Sequence, residues 1–149
     1  MRYFNVYGPR QVGGEYGGVM IRFIERLKRD LPPVIYGDGE QTRDFIYVED
    51  VAKANLLALR HPDAGGKVFN IGSGRGVTIN ELCSIFLKLT GKSLEPIHLE
   101  PREGDIRRSL ADIRRARDSL GFEPSVSLEE GIMKLLKSFK FPFRRRKGC

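Results

Sequence analysis

Residues 34–54, VIYGDGEQTRDFIYVEDVAKA, decide how this chain is read. Val34, Ile35 and Tyr36 are β-branched or aromatic and run into Gly37-Asp38-Gly39, which makes a short strand ending at a turn. Phe45 to Val48 repeats the strand pattern. Glu49 and Asp50 then open a helix reaching about Arg60, since the helix macrodipole favours acids in the first turn. Pro62 ends it, because a residue before proline avoids helical geometry. Strand, polar loop, strand and helix in close succession predict a mixed α/β domain.

Working outward, RYFNVYGPRQ (2–11) has a strand pattern from Tyr3 to Val6 leading to a Tyr7-Gly8-Pro9-Arg10 turn, with only Met1 and Arg2 before it. Such a strand needs neighbours. Met20, Phe23, Ile24 and Leu27 recur at helical spacing before Pro32-Pro33. Val68 to Ile71 is apolar enough for a buried strand. Thr78-Ile79-Asn80-Glu81 is a capping box, in which hydroxyl and carboxylate each satisfy an orphan backbone N–H, and Gly91 can take the left-handed conformation that stops the helix. Asp112 is expected to cap a further helix carrying Ile113, Ala116 and Leu120 to Gly121. Ser127-Leu128-Glu129-Glu130 repeats the box over Leu128, Ile132, Leu135, Leu136 and Phe139. The expectation is short strands with about five helices in one lobe, residues 1–139, followed by a disordered basic tail, 140–149.

Composition narrows the function. The net charge of +7 points to nucleic acid until it is located: Lys137, Lys140, Arg144, Arg145, Arg146 and Lys147 all follow the last acid, Glu130, and setting them aside brings 26 basic residues nearly level with 19 acidic. A solvated end is the commoner fate of such a run, although Phe139, Phe141, Pro142 and Phe143 leave polyanion or membrane-surface contact open. No apolar run approaches the roughly 20 residues that span a bilayer, and the chain is read as cytoplasmic. Cys83 and Cys149 form neither a disulfide framework nor a metal spacing, and His61 and His98 have no partner ligand at zinc spacing.

Two polar loops hold more chemistry than turns require: YGDGEQTRDF (36–45) and LEPREGDIRRS (99–109). Guanidinium forks match a diphosphate better than an ammonium does, so Arg43 and Arg102 are candidate phosphate clamps; the bland alternative pairs Arg43 with Asp44 or Glu40, and Arg102 with Glu103 or Asp105. Asp105 can accept from vicinal hydroxyls or cap a turn. Tyr36 can stack on a base or lie in the core. Asn5 and Asn70 sit in apolar strands, where a buried amide must find partners. NIGSGRG (70–76) has the glycines of a phosphate cradle without the spacing of one. Asp44, Glu49 and Asp50 are better explained as helix-start acids than as a glycosidase pair.

Taken together, RYFNVYGPRQ, VIYGDGEQTRDFIYVEDVAKA, VFNIGSG and PREGDIRRSLADIRRA resemble, in that order, the C-terminal part of the extended short-chain dehydrogenases that act on nucleotide sugars, the NAD-dependent epimerases and dehydratases. The likeness leans toward the UDP-glucose 4-epimerases, because QTRDFIYVEDVA carries Phe45 where dehydratases tend to carry tryptophan. It implies an α/β fold whose N-terminal Rossmann domain, with the glycine-rich NAD loop and the Tyr-x-x-x-Lys catalytic pair, is missing from this sequence. Tyr3 to Val6 would then belong to that domain's parallel sheet.

The resemblance also implies roles. Arg43 and Arg102 clamp the diphosphate of a UDP-sugar, Asp105 takes the ribose, Tyr36 and Asn70 form the base pocket, and Asn5 meets the sugar-linked phosphate. Tyr3, Asn5 and Val6 lie beside NAD. Glu103, where many relatives have proline, adds a carboxylate next to Arg102. No residue here is expected to be catalytic, since Tyr7 and Lys53 have the wrong spacing for the family pair. NAD would bind the intact enzyme rather than this chain alone. The expected partners are a UDP-sugar and a separate Rossmann polypeptide, with no metal and with a homodimer left open. The other readings are a stand-alone nucleotide-sugar-binding module and a polyanion-binding tail.

Overall fold

The computed structural model describes residues 1–13 and 18–143. Its strands are β1 (Arg2–Tyr3), β2 (Asn5–Tyr7), β3 (Val34–Tyr36), β4 (Thr42–Tyr47), β5 (Asn70–Ile71), β6 (Gly76–Thr78) and β7 (Ile97–Leu99). The helices are α1 (Val19–Lys28), α2 (Val48–Arg60), α3 (Ile79–Thr90), α4 (Arg114–Leu120) and α5 (Leu128–Ser138), with a single 3-10 turn at Pro62–Ala64.

β4 organises the molecule. It pairs in parallel with β2, placing Asn5 opposite Phe45, and antiparallel with β6, placing Thr42 opposite Thr78. Two further parallel pairs, β1 with β5 and β3 with β7, stand beside it. Successive side chains of a strand point to opposite faces, and β4 uses this to serve two cores. Phe45 and Tyr47 join Phe23, Phe86 and Leu136 among α1, α3 and α5, while Ile46 joins Val51, Ala54, Phe69 and Phe122 around α2 and α4. Phe23 meets Phe86 edge-on with centroids 5.7 Å apart, the arrangement that ring quadrupoles prefer.

The capping box of α3 is complete: Glu81 N–H donates to Thr78 Oγ1 at 3.0 Å, and Thr78 N–H donates to the Glu81 carboxylate at 2.9 Å. Gly91 ends that helix at φ +65°.

Several boundaries differ from expectation. The 3–6 strand is broken at Phe4, whose N–H bonds Ile71 O and whose carbonyl bonds Val6 N–H, so β1 and β2 enter different sheets. The strand expected at 45–48 starts at Thr42 and yields Val48 to α2. The strand expected at 68–71 is only Asn70–Ile71. α4 begins at Arg114 with Ile113 as its cap; Asp112 accepts from Arg114 N–H at 3.1 Å but also grips the Arg114 guanidinium. At α5 half of the box forms, since Ser127 Oγ accepts from Glu130 N–H while the Glu130 carboxylate holds Lys134 at 3.0 Å.

The folded body also continues past residue 139. Phe141 is buried in the first core, its N–H donates to Leu136 O at 3.0 Å, and Lys28 Nζ donates to Phe139 O. Arg144 to Cys149, the rest of the tail, lie outside the described residues. Cys83 is buried, and burial pushes its thiol up to about 11.

Candidate functional site

The two polar loops meet because the strands they follow are partners. β3 and β7 run side by side, so the segments after Tyr36 and Leu99 leave the same edge. Backbone bonds join them: Gly37 N–H donates to Leu99 O at 2.8 Å, Thr42 N–H to Arg107 O at 3.0 Å, and Ser109 N–H to Thr42 O at 3.2 Å. Arg107 grips Asp38 with two nitrogens, at 2.7 and 2.9 Å. That guanidinium, helped by Glu40 N–H, holds the Asp38 carboxyl at about 2.

Between the loops and the edge of the first core lies a hollow of about 300 Å³. Asn5, Tyr36, Arg43, Arg102 and Asp105 all line it, over a floor of Tyr7, Met20, Phe45 and Ile79. The Arg43 guanidinium pairs with the Asp105 carboxylate and bonds the carbonyls of Ile106 and Thr42. Arg43 therefore takes neither Asp44 nor Glu40 as its partner.

Arg102 lies over Tyr36, its guanidinium carbon 3.9 Å from the ring centroid. Arg102, seconded by Arg22 and Arg26, holds the Tyr36 phenol below the usual tyrosine range. Among the described residues no carboxylate forms an ion pair with Arg102 or Arg22, Glu103 included. Burial, then the nearby charge of Arg102, lowers the Arg22 pKa. Guanidinium groups without acids, an aromatic face and a carboxylate on one hollow can hold an anion, a flat ring and a pair of hydroxyls.

Two proposed residues, Asn70 and Tyr3, lie outside this hollow. Asn70 is not in this hollow: β5 pairs with β1 rather than with β3 or β4, so Asn70 donates to Asp112 O at 3.2 Å and lines a separate surface hollow with Arg2 and Arg115. Tyr3 is exposed and donates to Asn55 Oδ1 at 2.8 Å. Val6 does line the main hollow.

The glycine-rich NIGSGRG loop cradles a carboxylate of its own chain. Asp44 accepts from Ser73 N–H at 2.6 Å, Ser73 Oγ at 2.7 Å, Gly74 N–H at 3.0 Å and Ala111 N–H at 3.1 Å. Gly72 permits the approach, because a Cβ there would stand 2.7 Å from Asp44 Oδ2. Asp50 is equally occupied by Ser125 N–H, Ser125 Oγ and Val126 N–H. Neither acid is free for glycosidase chemistry.

Tyr7 is buried with its hydroxyl on Leu128 O, and burial pushes its phenol up. Lys53 reaches Glu123 O instead. His98 bonds Gly37 O, and His61 accepts from Asp63 N–H. Among the described residues no three His, Cys, Asp or Glu side chains assemble as a metal site, and no helix is long and apolar enough to cross a membrane.

Two residues of the hollow escaped sequence reading. Arg22 sits between buried Ile21 and Phe23, in a helix that reads as core. Gln41 immediately precedes Thr42 and Arg43 in a polar loop, and no local pattern in the sequence announces that it is buried, at 8% exposure.

Similar proteins are known. The chain is 42% identical over 136 residues to the UDP-glucose 4-epimerase of Mycolicibacterium smegmatis, covering 91% of itself and 43% of that protein. It is 35% identical to the UDP-glucuronate 4-epimerase of Thermodesulfobacterium geofontis, covering 89% of itself and 40% of the relative. The structure of UDP-glucose 4-epimerase from Thermotoga maritima with UDP-glucose superposes at a TM-score of 0.88 and 47% identity, covering 93% of this chain and 44% of the other. The chain thus spans less than half the length of the relatives it matches. Residues 1–72 match the sequence pattern of the NAD dependent epimerase/dehydratase family, and the chain shares the fold of the solved UDP-glucose 4-epimerase over 93% of its own length.

Proposed function

We propose that this chain is the substrate-binding, C-terminal part of a nucleotide-sugar epimerase and that it holds the UDP portion of a UDP-sugar. The observation that carries the proposal is the convergence of Arg43, Arg102, Asp105, Tyr36 and Asn5 on one hollow. Arg43 and Arg102 face the diphosphate, Tyr36 offers its ring to the base, and Asp105 accepts from the ribose. Tyr36 and Arg102 now stack on each other, and Arg43 and Asp105 pair, so each group exchanges a protein partner for a ligand one. Asn70, which faces a different hollow, is left out of the base pocket.

NAD finds little here. The sequence has no G-x-G-x-x-G opening a βαβ unit, Tyr3 is committed to Asn55, and Asn5 Nδ2 is committed to Asp44 O at 3.1 Å. On this reading the cofactor and the Tyr-x-x-x-Lys pair are supplied from outside the residues of this chain. By itself the chain binds and orients the nucleotide, and turnover requires a Rossmann domain in the same or another polypeptide.

Calorimetric titration with UDP tests this. Saturable binding that weakens about tenfold or more in Arg43→Ala supports the reading, because each hydrogen bond to a charged group contributes about 1.5–3 kcal/mol. No binding, or binding indifferent to Arg43, overturns it.

A further inference from the structure

Gln41 is held in one orientation by its neighbours. Its Nε2 donates to Tyr36 O at 2.8 Å and to Asp105 Oδ2 at 3.3 Å. Both partners are pure acceptors, so a flipped amide would set oxygen against oxygen, and the orientation follows from the network. Its backbone is pinned as well, by Ile79 N–H on Gln41 O. The other end of the amide, Oε1, is buried and receives no hydrogen bond from any described residue. Gln11 Oε1 in the same hollow is also unsatisfied, but among the described residues no hydrogen bond orients that amide.

A buried acceptor without a donor is costly, and such groups at a site call for a ligand donor. Gln41 lies where the base and ribose positions meet: it bonds the carbonyl of the stacking residue Tyr36 and the carboxylate of Asp105, and it lines both the main hollow and the adjoining one that runs under Arg102.

We infer that Gln41 is a specificity-determining residue, whose Oε1 accepts a hydrogen bond from an N–H or O–H of the bound uridine nucleotide. The inference rests on the function proposed above. Two donors of that ligand suit the position, the imino N3–H of the uracil ring and the 2′-hydroxyl of the ribose. A site built to hydrogen-bond one of them rejects analogues that lack it, because the acceptor is then left buried and bare.

The test compares UDP, 2′-deoxy-UDP and N3-methyl-UDP by calorimetry on the full chain and on Gln41→Ala. One analogue is expected to bind the unmodified chain at least about tenfold more weakly than UDP, and this penalty should collapse in Gln41→Ala, where truncation also makes room for the added methyl. The penalty that collapses in Gln41→Ala assigns the donor, the base for the methyl analogue and the ribose for the deoxy analogue, whereas a deoxy penalty that survives the substitution belongs to Asp105. Should the alanine variant fail to fold, Gln41→Met keeps the stem, removes the oxygen and carries the same comparison. Analogues that bind within twofold of UDP, or a penalty unchanged by substitution, overturn the role of Gln41 while leaving UDP recognition intact. Absence of UDP binding overturns both.

Discussion

Arg43 and Asp44 are neighbours on β4 and face opposite ways. Asp44 points into the second core's side of the strand and is met by four donors, three of them backbone N–H groups from segments distant in sequence. Arg43 points into the hollow, where its carboxylate partner Asp105 is one-third exposed and rides on a loop. Both are charged groups in partly or fully buried places, but only one is closed to outside molecules. A charge saturated by main-chain donors is part of the scaffold, while a charge balanced by a side chain on a loop can trade that partner for a ligand.

The contrast is broken most directly by removing each residue. Asp44→Ala strands three backbone N–H groups and should lower unfolding free energy in urea by about 3–5 kcal/mol. Equal damage from Arg43→Ala would erase the distinction; that variant should stay within about 1 kcal/mol of the parent, as partly exposed ion pairs do. Asp50→Ala, which frees two N–H groups where α2 meets residues 125 and 126, should cost about 2–3 kcal/mol by the same measurement.

A smaller effect sharpens the functional side. Arg102→Ala removes a guanidinium that no described carboxylate pairs with and should weaken UDP binding about tenfold at low salt, with the loss shrinking as ionic strength rises. A loss independent of salt would argue that Arg102 acts by shaping the loop.

The smallest effect concerns pH. The folded-state pKa of Asp38 lies below its ordinary value, so its pairing with Arg107 contributes fully above pH 4 and is lost as pH falls toward 2. Asp38→Asn should therefore flatten only that acid limb in a stability profile. An altered slope near neutrality would mean that another group is responsible.

What the sequence made legible follows the range of the interaction. The α3 box and its Gly91 stop depend on residues three or one apart, and both stand as expected. β6 was hidden because Gly76-Val77-Thr78 continues a glycine-rich loop and becomes a strand only by pairing with β4 across the fold. Asp44 and the NIGSGRG glycines each stand out in the sequence, but nothing local announces that one is the other's ligand. The separation of Asn70 from the hollow has the same origin: it depends on which strand β5 pairs with, a choice made by β1. The Phe141 anchor was masked by the basic residues around it.

The segment from Glu100 to Ile106 is fastened at both ends, at Leu99 by β3 and at Arg107 by Thr42. Such an arch has given up most of its wandering before any nucleotide arrives, so closing over one costs it little further entropy. In hydrogen–deuterium exchange the amides at the two footings should be protected slowly exchanging sites, with fast exchange confined to the span that carries Arg102 and Asp105, and capture should quieten that span without disturbing the rest of the molecule.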